Sequence, residues 1–279
     1  MKNTFFSERS FDYITKNKNI SIKDLIDKQC FMRFNNEPNI GLKINLYRDY
    51  EVAALADAIY SQKDHEKYPI ESIMVGDSYF STHLGKNSTR LITYEEKQWG
   101  LDVMNSLIYE VNNSIESHFS KEERPYLIGD MPDGAIDNIE SAFKAARSMV
   151  SAGADVIKME ISSKESLEIL NELSKNRFNV MAHIGYTPQS SNVKRYGNSL
   201  IDALKTFALC RKLRDYGACS VVLEMMNEVV NQSLCKGRKD NMLQIYSIFS
   251  GQAKYGGQSL NIWDSVFLSS SEKKRRTMS

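Results

Sequence analysis

The chain has 279 residues, 42% hydrophobic and 25% charged, with a formal net charge of +1. That is enough apolar material for one large core, and the even mixture of signs excludes a nucleic-acid footprint. No apolar run reaches membrane-spanning length, the amino terminus MKNTFFSERS lacks an apolar signal core, and Cys30, Cys210, Cys219 and Cys235 show no zinc or CxxC spacing; reduced thiols in a cytoplasmic protein away from membranes are expected.

Residues 1–20, polar and rich in Asn and Lys, read as a loose leader. Ser21–Phe34 reads as a helix capped by Ser21, with Ile22, Leu25, Ile26 and Met32 on one face. Leu42–Tyr47 alternates as a strand and Asp49–Tyr60 is helical. Ile73-Met74-Val75 is a short buried strand, followed at once by Gly76-Asp77-Ser78. Tyr79–Thr93 reads as a long loop, Tyr94–Ser117 as a helix, and Pro125–Gly129 as a strand ending in Asp130. Asp137–Ala152 is a helix with Asp137 in the cap position. Its stripe of Ile139, Ala142, Phe143, Ala146, Met149 and Val150 is closed by Gly153. Asp155–Glu160 is a strand, Lys164–Lys175 a helix, and Asn179–Ala182 a strand ending in His183. Ser199–Tyr216 is a helix and Ser220–Leu223 a strand ending in Glu224. Glu228–Cys235 is a short helix, and Gln244–Phe249 and Ser259–Trp263 are the last strands. The tail SSSEKKRRTMS (269–279) is a polar, basic end.

Eight strand candidates alternating with helices imply parallel strands with helical crossovers. The expected fold is an α/β (β/α)8 TIM-type barrel over residues 21–268, with an N-terminal helical extension and no further boundary. An open doubly wound sheet lacks its usual GxGxxG after an early strand. Chemistry in such barrels sits at the carboxyl ends of the strands. Asp77, Asp130, Lys158, Glu160, His183 and Glu224 all fall there. Asp77, Asp130 and Glu160 offer only hard oxygen ligands, which suit Mg2+ or Mn2+ rather than zinc. An ion held by three carboxylates leaves places for water and a chelating 2-oxo acid, whose enolate the metal would stabilise. Lys158 shares a strand face with Glu160 and can balance charge or bind a carboxylate. Plainer readings stand beside these. Asp77 and Ser78 can form a helix cap or Asx turn, Lys158 a structural ion pair, and His183 a satisfied rim histidine.

His183-Ile184-Gly185-Tyr186-Thr187-Pro188-Gln189-Ser190 resembles the H-[LI]-G-x-T-P-Q-S motif of the ketopantoate (3-methyl-2-oxobutanoate) hydroxymethyltransferase family. That family's other signatures are matched in order. They are Val75-Gly76-Asp77-Ser78, Leu84-Gly85 with Ser88-Thr89, Asp130-Met131-Pro132, Lys158-Met159-Glu160 and Val221-Val222-Leu223-Glu224. The resemblance covers roughly residues 20 to 265. It implies a barrel similar to those of the phosphoenolpyruvate mutase and isocitrate lyase group. It implies Mg2+-dependent enolisation of 2-oxoisovalerate or an analogue, and attack on a one-carbon unit from methylenetetrahydrofolate. By the same resemblance Asp77 and Asp130 are metal-site carboxylates with Glu160 close to the metal. Ser78, Lys158 and His183 would hold the oxo acid, Glu224 would be the base, and the working form is expected to be a homo-oligomer.

Three stretches depart from the family pattern. The Gly-rich loop after Gln189 shrinks to Asn192–Asn198, and G-I-G-A-G becomes Ile248-Phe249-Ser250-Gly251-Gln252, with Ile248 and Gln252 in two Gly positions. H-D becomes Trp263-Asp264, and the chain stops soon after Phe267. The departures suggest that enolisation is kept while the acceptor acid or the carbon donor differs. They also leave room for a folate-independent lyase or mutase using the same chemistry, or for a non-catalytic binding subunit.

Overall fold

The computed structural model describes residues 41–61, 70–190, 193–236, 243–251 and 256–260. The expected leader, the helix at Ser21–Phe34 and the basic tail lie outside the described residues, as do Cys30, Gln252, Trp263 and Asp264.

The strands are β1 (Leu42–Asn45), β2 (Ile70–Val75), β3 (Tyr126–Asp130), β4 (Val156–Glu160), β5 (Val180–Gly185), β6 (Ser220–Glu224), β7 (Gln244–Ile248) and β8 (Gly257–Leu260). Each pairs in parallel with its neighbour in sequence, and β8 pairs with β1, closing the barrel. The helices are α1 (Asp49–Tyr60), α2 (Tyr79–Thr82), α3 (Tyr94–His118), α4 (Ile139–Ala152), α5 (Lys164–Lys175), α6 (Leu200–Asp215) and α7 (Glu228–Lys236). The (β/α)8 expectation holds.

The period-2 alternation of each strand sorts its side chains into two cores. Ile73, Val75, Leu127, Ile157, Met159, Val180, Ala182, Ile184, Val221 and Leu223 belong to the large cluster between strands and helices. Met74, Ile128, Met181, Val222, Tyr246 and Ile248 form a smaller cluster inside the barrel. Each buried Val, Leu, Ile or Met among them contributes about 1.5–3 kcal/mol. The alternation carries a consequence for the polar residues. Two positions beyond the inner apolar residue of their strands, Asp130, Lys158, His183 and Glu224 fall on the inner phase, as does Glu160 two further along β4, above a floor of Met, Ile and Val.

Helix ends follow their caps. The Ser163 hydroxyl accepts from Ser166 N, so α5 starts where the sequence places it. In α4 the cap is Asn138, whose side chain accepts from Ser141 N, rather than Asp137. Gly153 ends that helix at φ 118°, a left-handed conformation that glycine adopts without strain. Two boundaries differ for a tertiary reason. β2 starts at Ile70 because Ile70 and Ser72 pair with β1. β5 runs to Gly185, not Ala182, because Ile184 and Gly185 pair with Leu223 and Glu224 of β6. The stretch after β2 is not wholly loop: it contains α2.

Candidate active site at the carboxyl ends of the strands

The barrel places Asp130, Lys158 and Glu160 on adjacent strands, with Asp77 just past the end of β2. Asp77 (6% exposed), Asp130 (2%), Lys158 (5%) and Glu160 (3%) are all buried. Lys158 Nζ donates to both oxygens of Asp130 at 2.7 Å, so the ion pair read as the plainer alternative is present. Asp77 N donates to Asp130 Oδ2 at 3.4 Å, which holds the two aspartates together. One ammonium therefore faces three carboxylates.

The electrostatics record that imbalance. Burial, then the charge of Asp130, pushes Asp77 well above the usual carboxylate range. Burial also raises Glu160, against the lowering influence of His183 and Lys158. Burial works to lower Lys158, but Asp130, Asp77 and Glu160 outweigh it and hold the ammonium above its ordinary value. The expected cage of three carboxylates is not formed: among the described residues no three His, Cys, Asp or Glu side chains are grouped to hold one ion. The reason lies with Glu160, which is drawn toward the β5 loop, where Gln189 N donates to both of its oxygens at 3.2 Å; the bonds from Lys158 leave a second lone pair on each oxygen of Asp130.

Ser78 opens α2, but its side chain makes no cap bond. Its hydroxyl instead meets Tyr47 Oη from the end of β1 at 2.8 Å. Tyr47 is fully buried, with ring contacts to Tyr79 and His83 at centroid distances of 5.1 and 4.8 Å. The cap reading of Asp77 and Ser78 thus gives way to two side chains turned to tertiary partners.

On the next strands His183 Nε2 lies 3.0 Å from Glu224 Oε2. The contact is one of proximity: neither ring nitrogen makes an aligned hydrogen bond among the described residues, although the residue is 3% exposed. The imidazole thus faces Glu224 through Nε2 and leaves Nδ1 without a hydrogen-bond partner among the described residues. Glu224 is more open than the other acids, its side chain 14% exposed. Between the end of β5, the loop that follows it and α6, a cavity of about 270 Å³ is lined by Ser162, Ile184, Thr187, Ser190, Tyr196 and Lys205.

Two residues of note escaped the sequence reading. Gln189 was visible within its motif but carried no role. Phe249 has a positive φ of 51°, and Met225, next to Glu224, has one of 52°. Ile248, by contrast, is an ordinary inward residue of β7. The position whose backbone favours glycine is Phe249, not Ile248. The short loop after Gln189 folds back on β6 rather than spreading: Tyr196 N donates to Met225 O, and Asn227 N to Tyr196 O.

The closed parallel barrel is also the fold of known enzymes. 2,3-Dimethylmalate lyase, a phosphoenolpyruvate mutase/isocitrate lyase superfamily member, shares the fold at a TM-score of 0.54 and 10% identity, over 88% of this chain and 82% of that one. Phosphonopyruvate hydrolase in complex with oxalate and Mg2+ does so at a TM-score of 0.54 and 12% identity, over 85% and 80%. These likenesses show a shared fold, a closed parallel (β/α)8 barrel.

Sequence similarity narrows this further. The ketopantoate hydroxymethyltransferase family matches residues 52–277, and the chain belongs to that family. The 3-methyl-2-oxobutanoate hydroxymethyltransferase of Prochlorococcus marinus (strain MIT 9301) is 29% identical over 200 residues, covering 68% of this chain and 70% of that protein. The chain is thus an enzyme, a hydroxymethyltransferase-like transferase of the pantothenate pathway's family.

Proposed function

We propose that this enzyme forms a carbon–carbon bond by enolising a 2-oxo acid, 2-oxoisovalerate or an analogue, for attack on a one-carbon donor. The observation that carries the reading is the buried surplus of three carboxylates over one ammonium. Buried like charges are costly unless something neutralises them. Mg2+ fits: it is usually held by one or two carboxylates and keeps places for water and substrate. Asp77 and Asp130 would hold it, with Glu160 beside them rather than in a three-carboxylate cage. The Mg2+ in the complex of the similarly folded phosphonopyruvate hydrolase supports the choice of ion.

When bound, the ion would supply Lewis acidity that stabilises the enolate. The chain's own residues do the rest. Lys158 offers an ammonium to the oxo acid, and Ser78, braced by Tyr47, offers a hydroxyl. His183, with Nε2 against Glu224, would turn its ring to the substrate's oxygens. Glu224, on the neighbouring strand and the least buried of the acids, removes the proton next to the keto group. Its carboxylate stands against His183, so the base and the group that orients the substrate move together. The donor would be methylenetetrahydrofolate, and the cavity beside Ser190 and Tyr196 offers it space. A cytoplasmic homo-oligomer remains the expected working form; among the described residues no helix is long and apolar enough to cross a membrane.

The altered rim favours divergence from ordinary ketopantoate synthesis. Enolisation is therefore expected to be kept, with a changed acceptor acid, a changed donor, or both. The test is steady-state turnover of 2-oxoisovalerate with methylenetetrahydrofolate, beside a panel of other 2-oxo acids. Rescue of a ketopantoate-requiring strain checks the pathway assignment. Turnover of ~1 s⁻¹ or more with 2-oxoisovalerate as the best acid, within the ordinary enzyme range, would refute the divergence while confirming the chemistry.

A further inference from the structure

Thr187-Pro188-Gln189-Ser190 follows β5 as a tight turn. Ser190 N donates to Thr187 O at 3.0 Å, and Ser190 Oγ to Thr187 Oγ1 at 2.9 Å. Proline at the second position fixes φ where such turns need it. The third residue, Gln189, is thereby presented to the barrel mouth on a stiff support.

Its polar groups are spent on three other strand ends. Nε2 donates to Asp77 Oδ2 at 2.8 Å and to Met131 O at 2.9 Å. Both partners are acceptors, so the amide nitrogen must face them, and its two N–H bonds are fully used. The backbone N–H is shared between the two oxygens of Glu160. One residue thus ties Asp77 after β2, Met131 after β3 and Glu160 at the end of β4. Asp77 Oδ1 makes no hydrogen bond among the described residues.

We infer that Gln189 is a positioning residue for the carboxylate site. It anchors one oxygen of Asp77 and leaves the other for a divalent cation, while holding Glu160 back beside the ion. The inference rests on the metal reading above. Its physical basis is that ligating carboxylates need outer hydrogen bonds to keep their orientation, and loss of such a partner commonly costs about 10–100-fold in metal affinity. Gln189→Met keeps the length and removes both donors. Gln189→Asn keeps the amide but falls short of Asp77.

The experiment titrates Mn2+ into EDTA-stripped wild type and both variants, by calorimetry and by the loss of free-Mn2+ electron resonance signal. Thermal melts in EDTA check that each variant is folded, and Gln189→Asn carries the test if Gln189→Met is not. Both variants should bind Mn2+ about 10–100-fold more weakly, and proton exchange of the oxo acid should recover toward wild type at saturating metal. An unchanged Mn2+ affinity in folded variants, with wild type binding normally, overturns the role of Gln189. Wild type that binds no Mn2+ overturns the metal reading instead, and this inference with it.

Discussion

Across the barrel mouth, the charged strand ends and the loops that follow β6 and β7 are held by different means. On the first, Lys158 grips Asp130 with two bonds of 2.7 Å and Gln189 grips Asp77 and Glu160. On the second, Met225 and Phe249 sit at positive φ. Ser250 pins that backbone, donating to Leu223 O and Ile248 O and accepting from Met226 N, all at 2.9 Å. The first side is ordered by charge, the second by backbone geometry. The contrast separates what activates an oxo acid from what shapes its surroundings, and the two sides should respond to substitution in different ways.

The charged side should break most sharply. Asp77→Asn or Asp130→Asn removes half of the carboxylate pair, and Mg2+-dependent exchange at C3 of the oxo acid should fall to the level of the EDTA-treated protein, with the barrel intact by circular dichroism. Glu224→Gln keeps shape and hydrogen bonding but accepts no proton. Exchange should drop by roughly 10²-fold or more, while calorimetry should show nearly unchanged affinity for the acid.

A pH effect belongs to the same side. Asp77 and Glu160 are raised from ordinary values of 3.8 and 4.5, chiefly by burial. Groups raised in the folded state contribute stability that is full below those unfolded values and is lost as pH rises through the folded ones. Metal-free protein should therefore lose stability as pH climbs from about 4 toward neutrality. Asp77→Asn should flatten that slope, and added Mg2+ should offset it. Melting temperatures across pH measure all three, and a slope unchanged by Asp77→Asn would contradict the electrostatic account.

The backbone side should give the smallest effect. Left-handed conformation costs an ordinary residue about 1–2 kcal/mol, against about 0.5–1 kcal/mol of added chain entropy for glycine. Phe249→Gly should gain no more than ~1.5 kcal/mol by that difference and leave exchange untouched, while shifting the KM for the carbon donor. Lost exchange in a folded Phe249→Gly variant would erase the distinction between the two sides.

The sequence made the charged side legible and the backbone side much less so. Helices such as Asp49–Tyr60 and Lys164–Lys175 were readable because helix-favouring composition and apolar spacing are local signals. Asp130, Lys158, Glu160 and Glu224 were readable because each ends a short apolar run. The end of β5 was not, because pairing with β6, not local propensity, carries it to Gly185. The role of Gln189 depends on partners 112, 58 and 29 positions away, which no local pattern contains. The carboxylates were expected to converge as three. Their types were visible, but the bonds that draw Glu160 toward the β5 loop appear only in the folded chain.

The central claim is that this site enolises a 2-oxo acid only with a divalent cation in place. The most direct test follows solvent deuterium uptake at C3 of 2-oxoisovalerate and related acids by proton magnetic resonance. EDTA-stripped protein is compared before and after titration with Mg2+, with no carbon donor present. The account predicts no uptake in the stripped protein and uptake that rises with Mg2+ to saturation for at least one acid. Full uptake in the stripped protein, or none for any acid at saturating Mg2+, would contradict it.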